Sequence, residues 1–170
     1  MLITKKARRL LSNLETFLEH ATRVVVIGMG NELRGDDAVG LEVVRLLKKH
    51  QSTRLTVYEG HMTPEVFIAP ACSLKPSHLL IVDAAELNRP PGNWRLLSRD
   101  EIQTSLFTTH YLPATAVADE LTRRCGTRVS FIGIQPKARD ITFQRSSECM
   151  KAAQDIATLL QRLTASVSDP

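Results

Sequence analysis

Aromatic residues are scarce in this chain of 170 residues: they make up 5% of it, with one tryptophan, two tyrosines and five phenylalanines. A core must therefore come mostly from Leu, Ile, Val and Ala. The three cysteines, Cys72, Cys125 and Cys149, are widely spaced and form no CxxC pair. That excludes a disulfide framework and a zinc knuckle, and it reads as free thiols suited to a reducing compartment. No stretch approaches the roughly 18–20 uninterrupted apolar residues of a membrane-spanning helix, so no membrane insertion is expected. Neither sign of charge dominates, since 22 basic residues face 18 acidic ones for a net charge of +4. Part of the excess sits in Lys5, Lys6, Arg8 and Arg9, a solvated helix face rather than a phosphate footprint, so no nucleic-acid partner is expected. Ser12, Asn13, Glu15 and Thr16 interrupt any leader-like apolar run, which leaves the cytoplasm as the expected location.

What is present is ordinary for a folded domain, with 43% hydrophobic and 24% charged residues. Ile3, Leu10, Leu14, Phe17 and Leu18 recur at helical spacing and predict an amphipathic helix within residues 1–22, packed on a domain spanning 23–165. The runs 24–28, 55–58, 78–82 and 129–134 read as strands, and the wholly apolar ones suit the buried strands of a parallel sheet. Trp94 to Leu97 reads as a shorter edge strand after the turn Arg89-Pro90-Pro91-Gly92-Asn93. Helical patterns fall at 36–50, 64–71, 113–124 and 147–163, and residues 166–170 read as a frayed tail. Strands alternating with helices predict an α/β three-layer sandwich, with helices on both faces of a doubly wound, mostly parallel sheet of about five strands. The extra N-terminal helix adds to it. Ligands bind such sheets outside the carboxyl ends of the strands, near the point where strand order reverses.

Three segments at those ends carry chemistry. Gly28-Met29-Gly30-Asn31-Glu32-Leu33-Arg34-Gly35-Asp36-Asp37 follows the first strand, but Leu33 stands where a dinucleotide fingerprint needs glycine. Asp36 and Asp37 would also repel a pyrophosphate at the start of the next helix. One aspartate suffices to cap that helix, which leaves the second to point into the crevice as a ligand. Asp83 ends an apolar strand, where a carboxylate needs a cation or several donors. His110 lies in the loop Thr108-Thr109-His110-Tyr111-Leu112-Pro113, and spacing alone does not bring it to the two acids. If the three meet, two carboxylates and an imidazole with open positions suit a borderline divalent ion such as nickel or zinc.

Taken in order, GMGNELRGDDAVG at 28–40, LLIVDA at 79–84, TTHYLP at 108–113 and FIGIQP at 131–136 resemble the nickel-iron hydrogenase maturation endopeptidases. The branch that processes the large subunit of hydrogenase 3-type (formate hydrogenlyase) complexes is the most similar. The resemblance implies that Asp37, Asp83 and His110 engage nickel already installed in the immature large subunit. A C-terminal extension of that subunit is then removed. Nickel would thus be supplied by the substrate, with zinc as another ion that fits the site. The precursor is the implied partner, and the free enzyme is expected to be a monomer. The chain departs from the family at Glu59-Gly60-His61, where Asp-Gly-Gly is usual. Glu59 keeps the charge but reaches one methylene further, and His61 is either a solvent-facing loop residue or an extra metal ligand.

The leading expectation is therefore a nickel-gated endopeptidase with catalytic Asp37 and Asp83, and with Glu59 or Asp36 as candidates for the general base. The alternative is a metal-binding assembly factor that recognises the same precursor without hydrolysing it, motivated by the altered 59–61 loop.

Overall fold

The computed structural model describes residues 13–98, 101–102 and 114–165. Five strands form one sheet: β1 (Val24–Met29), β2 (Leu55–His61), β3 (His78–Ala84), β4 (Trp94–Leu97) and β5 (Arg128–Ile134). Their order is β2-β1-β3-β5-β4. The β1–β2, β1–β3 and β3–β5 pairs are parallel, and β4 runs antiparallel to β5 at the edge. β1 and β3 are buried at every position, as befits central strands with both faces covered.

The helices are α1 (Val39–Leu47), α2 (Ile68–Ser73), α3 (Ala114–Cys125) and α4 (Ser147–Ala165). Strand alternation sends Val24, Val26, Leu80, Val82 and Ile132 to one face, against Val43 and Leu47 of α1 and Ile156 and Leu160 of α4. Val25, Ile27, Leu79, Ile81 and Phe131 meet Ala71 of α2 and Val117 and Leu121 of α3 on the other. The result is the three-layer α/β sandwich that the alternating pattern predicts. Residues 13–17 are helical, and Leu14 and Leu18 join the face formed by α1 and α4. The rest of the expected N-terminal helix and the tail at 166–170 lie outside the described residues.

Two helices begin differently from the periodic reading. The 36–50 segment is a 3-10 turn at Gly35–Ala38, then α1, then a second 3-10 turn at Lys48–His50. The 64–71 segment is a 3-10 turn, Pro64–Phe67, leading into α2. No side chain caps the first of these turns or α1, so the expected aspartate cap is absent. The Asp36 carboxylate is instead engaged by a loop far along the chain.

The cysteines require a correction. Cys72 and Cys125 are joined in a disulfide across 53 residues of sequence. The bond follows from packing: α2 and α3 lie against each other on one face of the sheet, which brings the two Cα atoms to 4.8 Å. An argument for a reducing compartment from three free thiols therefore fails. Cys149 is free and buried, and burial pushes its thiol up to about 11. A thiol so protonated is a poor nucleophile at neutral pH.

Candidate functional site

The chain leaves β1 for β2 on one side, while β3 lies on the other, so the strand order reverses between β1 and β3. A crevice is expected at their carboxyl ends. The segment 28–40 folds back onto those ends because its glycines leave room. A Cβ on Gly40 would collide with the carbonyls of Val82 and Met29, and one on Gly30, at φ 137°, would collide with the Asp37 carbonyl. The Gly35–Ala38 turn accordingly packs on β3. Asp37 from this turn and Asp83 from the end of β3 are both buried, at 2% and 3% exposure. The Ala84 N–H donates to Asp83 Oδ1 at 2.8 Å. Arg139 Nη1, from the loop after β5, stands 4.0 Å from Asp37 Oδ1.

Asp36 has the opposite role. Its Oδ2 accepts from the Lys137 N–H at 2.9 Å and the Ser146 hydroxyl at 2.7 Å, and its Oδ1 accepts from the Ser146 N–H at 2.7 Å. Burial raises its pKa, but these donors lower it further, and the carboxyl is held below its ordinary range. Asp36 therefore ties the 137–146 loop to the turn, and this commitment removes it as a candidate general base.

Glu59, at the end of β2, is also committed. Its carboxylate pairs with Arg45 Nε and Lys48 Nζ, each at 3.0 Å. Burial raises its pKa, and the bonds from Lys48 and Arg45 more than reverse this. Arg45 also bonds Glu32 and Glu42, so it is the hub of an ionic network along α1. The signal in the sequence was the Glu42–Arg45 spacing of three residues. His61 follows a register shift in the β1–β2 pairing. It adopts φ 47°, and its Nδ1 lies 4.0 Å from Glu32 Oε2. Among the described residues no group of three His, Cys, Asp or Glu side chains could hold a metal ion, so His61 does not join the buried acids as an extra ligand. His110 lies outside the described residues.

The structure thus brings Asp37 and Asp83 to the switch point from separate elements, and it assigns Asp36 and Glu59 to structural pairs. Sequence reasoning missed Arg139 and Ser146, which reach the site only because the loop after β5 crosses over the Gly35–Ala38 turn. Chemically, carboxylates are oxygen ligands of the kind divalent cations take, and both of these lie buried at the carboxyl ends of the central strands.

Comparison with known proteins gives a consistent result. A family model described as hydrogenase maturation protease matches residues 41–163. The chain is 32% identical over 154 residues to a putative hydrogenase maturation protease of Methanocaldococcus jannaschii, covering 85% of this chain and 90% of that one. It is 31% identical over 140 residues to the hydrogenase 3 maturation protease of Escherichia coli, covering 82% and 87%. Among solved structures, the NiFe hydrogenase maturation protease HycI of Thermococcus kodakarensis superposes with a TM-score of 0.82 at 26% identity, covering 90% of this chain and 99% of that one. The E. coli endopeptidase HycI gives a TM-score of 0.72 at 29% identity, with 86% and 92% covered.

Proposed function

From the premise that this chain belongs to the hydrogenase maturation protease family, hydrolases acting on a peptide bond, we propose that it removes a C-terminal extension from the nickel-loaded large-subunit precursor of a nickel-iron hydrogenase. The observation that carries this reading is the convergence of Asp37 and Asp83, both buried, at the switch point of the sheet. Carboxylate oxygens are ligands that divalent cations take, and a precursor that carries nickel brings such an ion with the substrate. Asp37 and Asp83, completed by His110, engage that ion. A Lewis acid beside the scissile bond polarises its carbonyl and lowers the pKa of an attacking water.

The protein's own part is to present the two carboxylates in fixed geometry and to exclude solvent. The glycine contacts of the 28–40 segment and the Asp36 clasp on the 137–146 loop hold the crevice in shape. No buried cysteine or serine pairing is needed, in keeping with the protonated thiol of Cys149. A cytoplasmic site of action and a monomeric free enzyme belong to the same proposal, checked by cell fractionation and sedimentation.

The decisive experiment incubates purified protein with nickel-loaded and nickel-free precursor and follows the extension by mass spectrometry. Release from the loaded precursor only is expected. Equal cleavage of both would remove the nickel gate, and binding of precursor without release at any metal loading would favour a non-hydrolytic assembly factor.

A further inference from the structure

The rim of the crevice carries large apolar side chains that a folded chain ordinarily hides. Leu33 is 54% exposed, Ile141 91% and Phe143 73%. They form one patch because the two segments that carry them are bonded together. The Thr142 N–H donates to the Leu33 carbonyl at 3.0 Å, and the Gly35 N–H donates to the Thr142 carbonyl at 2.8 Å. Arg34 and Thr142 form a parallel bridge. A Cβ built on Gly35 would sit 3.4 Å from Thr142 Cγ2, so Thr142 faces inward. On either side of it, Ile141 and Phe143 stand out to solvent beside Leu33. The Asp36 bonds to Lys137 and Ser146 hold both ends of the loop, so the apolar side chains stand on a pinned backbone.

Position and charge indicate what covers this patch. Arg139 reaches within 4.0 Å of Asp37, and Ile141 and Phe143 follow it by two and four residues. At a reach of at most ~3.6 Å per residue, their Cα atoms lie within roughly 7 and 14 Å of that of Arg139. A folded protein whose peptide bond approaches Asp37 comes within reach of this patch. Arg34, exposed and next to Leu33, borders the patch with positive charge, and the exposed acid Asp140 precedes Ile141. We propose that Leu33, Ile141 and Phe143 are the docking surface for the folded body of the precursor, which presents an apolar face bordered by carboxylates. Contacts here set affinity, while Asp37 and Asp83 act on the bond. This rests on the protease reading above. Contiguous exposed apolar side chains with a polar border are typical of interaction surfaces, and aromatic anchors dominate their energetics.

The test uses the full chain and an Ile141→Ser/Phe143→Ser double variant, with thermal melting to confirm equal folding. Affinity for immobilised nickel-loaded precursor is measured beside kcat and KM for trimming. Kd and KM are expected to rise about tenfold or more, the scale of losing an aromatic anchor, with kcat within about twofold of wild type. Arg34→Glu should weaken binding in the same direction. If the wild type trims the precursor and the double variant binds and trims equally well, the docking proposal is overturned while the protease reading stands. If the wild type binds through the patch but never trims, the docking surface stands and the protease reading falls. Sedimentation showing a wild-type dimer that the variant loses, with precursor affinity unchanged, would assign the patch to a second copy and overturn the proposal.

Discussion

Asp36 and Asp37 are adjacent and equally buried, each 2% exposed, yet they belong to two regions with different work. The Asp36 region is a clasp: one carboxylate, three backbone N–H groups and a hydroxyl join segments about a hundred residues apart. The Asp37 region lies at the carboxyl ends of the central strands, where the turn that carries Asp37 packs on the strand that ends in Asp83, with a guanidinium 4.0 Å from Asp37. Burial of a carboxylate thus has two solutions here. Where donors of the fold surround it, the charge is structural. Where the carboxylate sits at the strand ends beside a second buried aspartate, as Asp37 does, it is placed where the proposed function needs a ligand.

The strongest test of this contrast changes charge without shape. Asp83→Asn and Asp37→Asn should each lower processing by about a thousandfold or more, because removing one member of a group acting as a unit costs nearly as much as removing all. The double variant should then add little. Thermal stability should hold or rise for Asp83→Asn, since a buried carboxylate is costly. Precursor trimmed at the wild-type rate by a folded Asp83→Asn protein would take Asp83 out of the site.

A second test concerns the sheet face away from α1 and α4. The Cys72–Cys125 disulfide closes a loop with a sequence separation of 53 residues, for which chain entropy gives about 4 kcal/mol as an upper figure. Melting with and without reductant should show a clear fall in Tm on reduction. A Cys72→Ala/Cys125→Ala variant should match the reduced protein and be indifferent to reductant. Equal melting temperatures in both conditions would remove the bond from the stability of this fold.

The third test loosens the clasp. Asp36→Ala leaves the Lys137 and Ser146 donors without their acceptor, at a cost of about 3 kcal/mol in urea unfolding at neutral pH. The pH dependence has a definite sign. The Asp36 pKa is lowered from an ordinary value of 3.8. Its contribution is therefore complete above that value and disappears as pH falls through the lower, folded one. Wild type and Asp36→Ala should thus converge in stability in strong acid. A gap that stays constant down to that range would mean that the charge is not what holds the loop.

The layers of the fold were legible because apolar strands and helical periodicity are local properties. The strand-end rule picked out the segments that carry Asp37 and Asp83, but the strand order that sets β1 beside β3 was not legible. Which aspartate was the clasp was not legible, because the answer lies with Ser146 and Lys137, whose approach depends on the loop after β5 meeting the Gly35–Ala38 turn. The Cys72–Cys125 bond was hidden for the same reason: it exists only once α2 and α3 share a face. Of the two readings open for His61, its half-exposed place beside Glu32 follows a one-residue shift in β2 at Gly60, and no spacing pattern announces such a shift.

The smallest expected effect falls on Glu59, which belongs to neither region although it ends a strand beside both. If its carboxylate served as the general base, Glu59→Gln would abolish processing. Its geometry predicts otherwise. The two cations at 3.0 Å favour the ionised form, and a carboxylate with a lowered pKa is a weak proton acceptor. Its partners sit on and just after α1, so the pair holds the end of β2 against that helix. A partly exposed ion pair of this kind contributes about 1 kcal/mol or less. Glu59→Gln should therefore trim precursor within about threefold of wild type and melt slightly lower, with the difference shrinking in high salt as charges are screened. A folded Glu59→Gln protein that binds precursor normally but fails to cleave it would return Glu59 to the chemistry, and would make the crevice wider than the two buried aspartates alone.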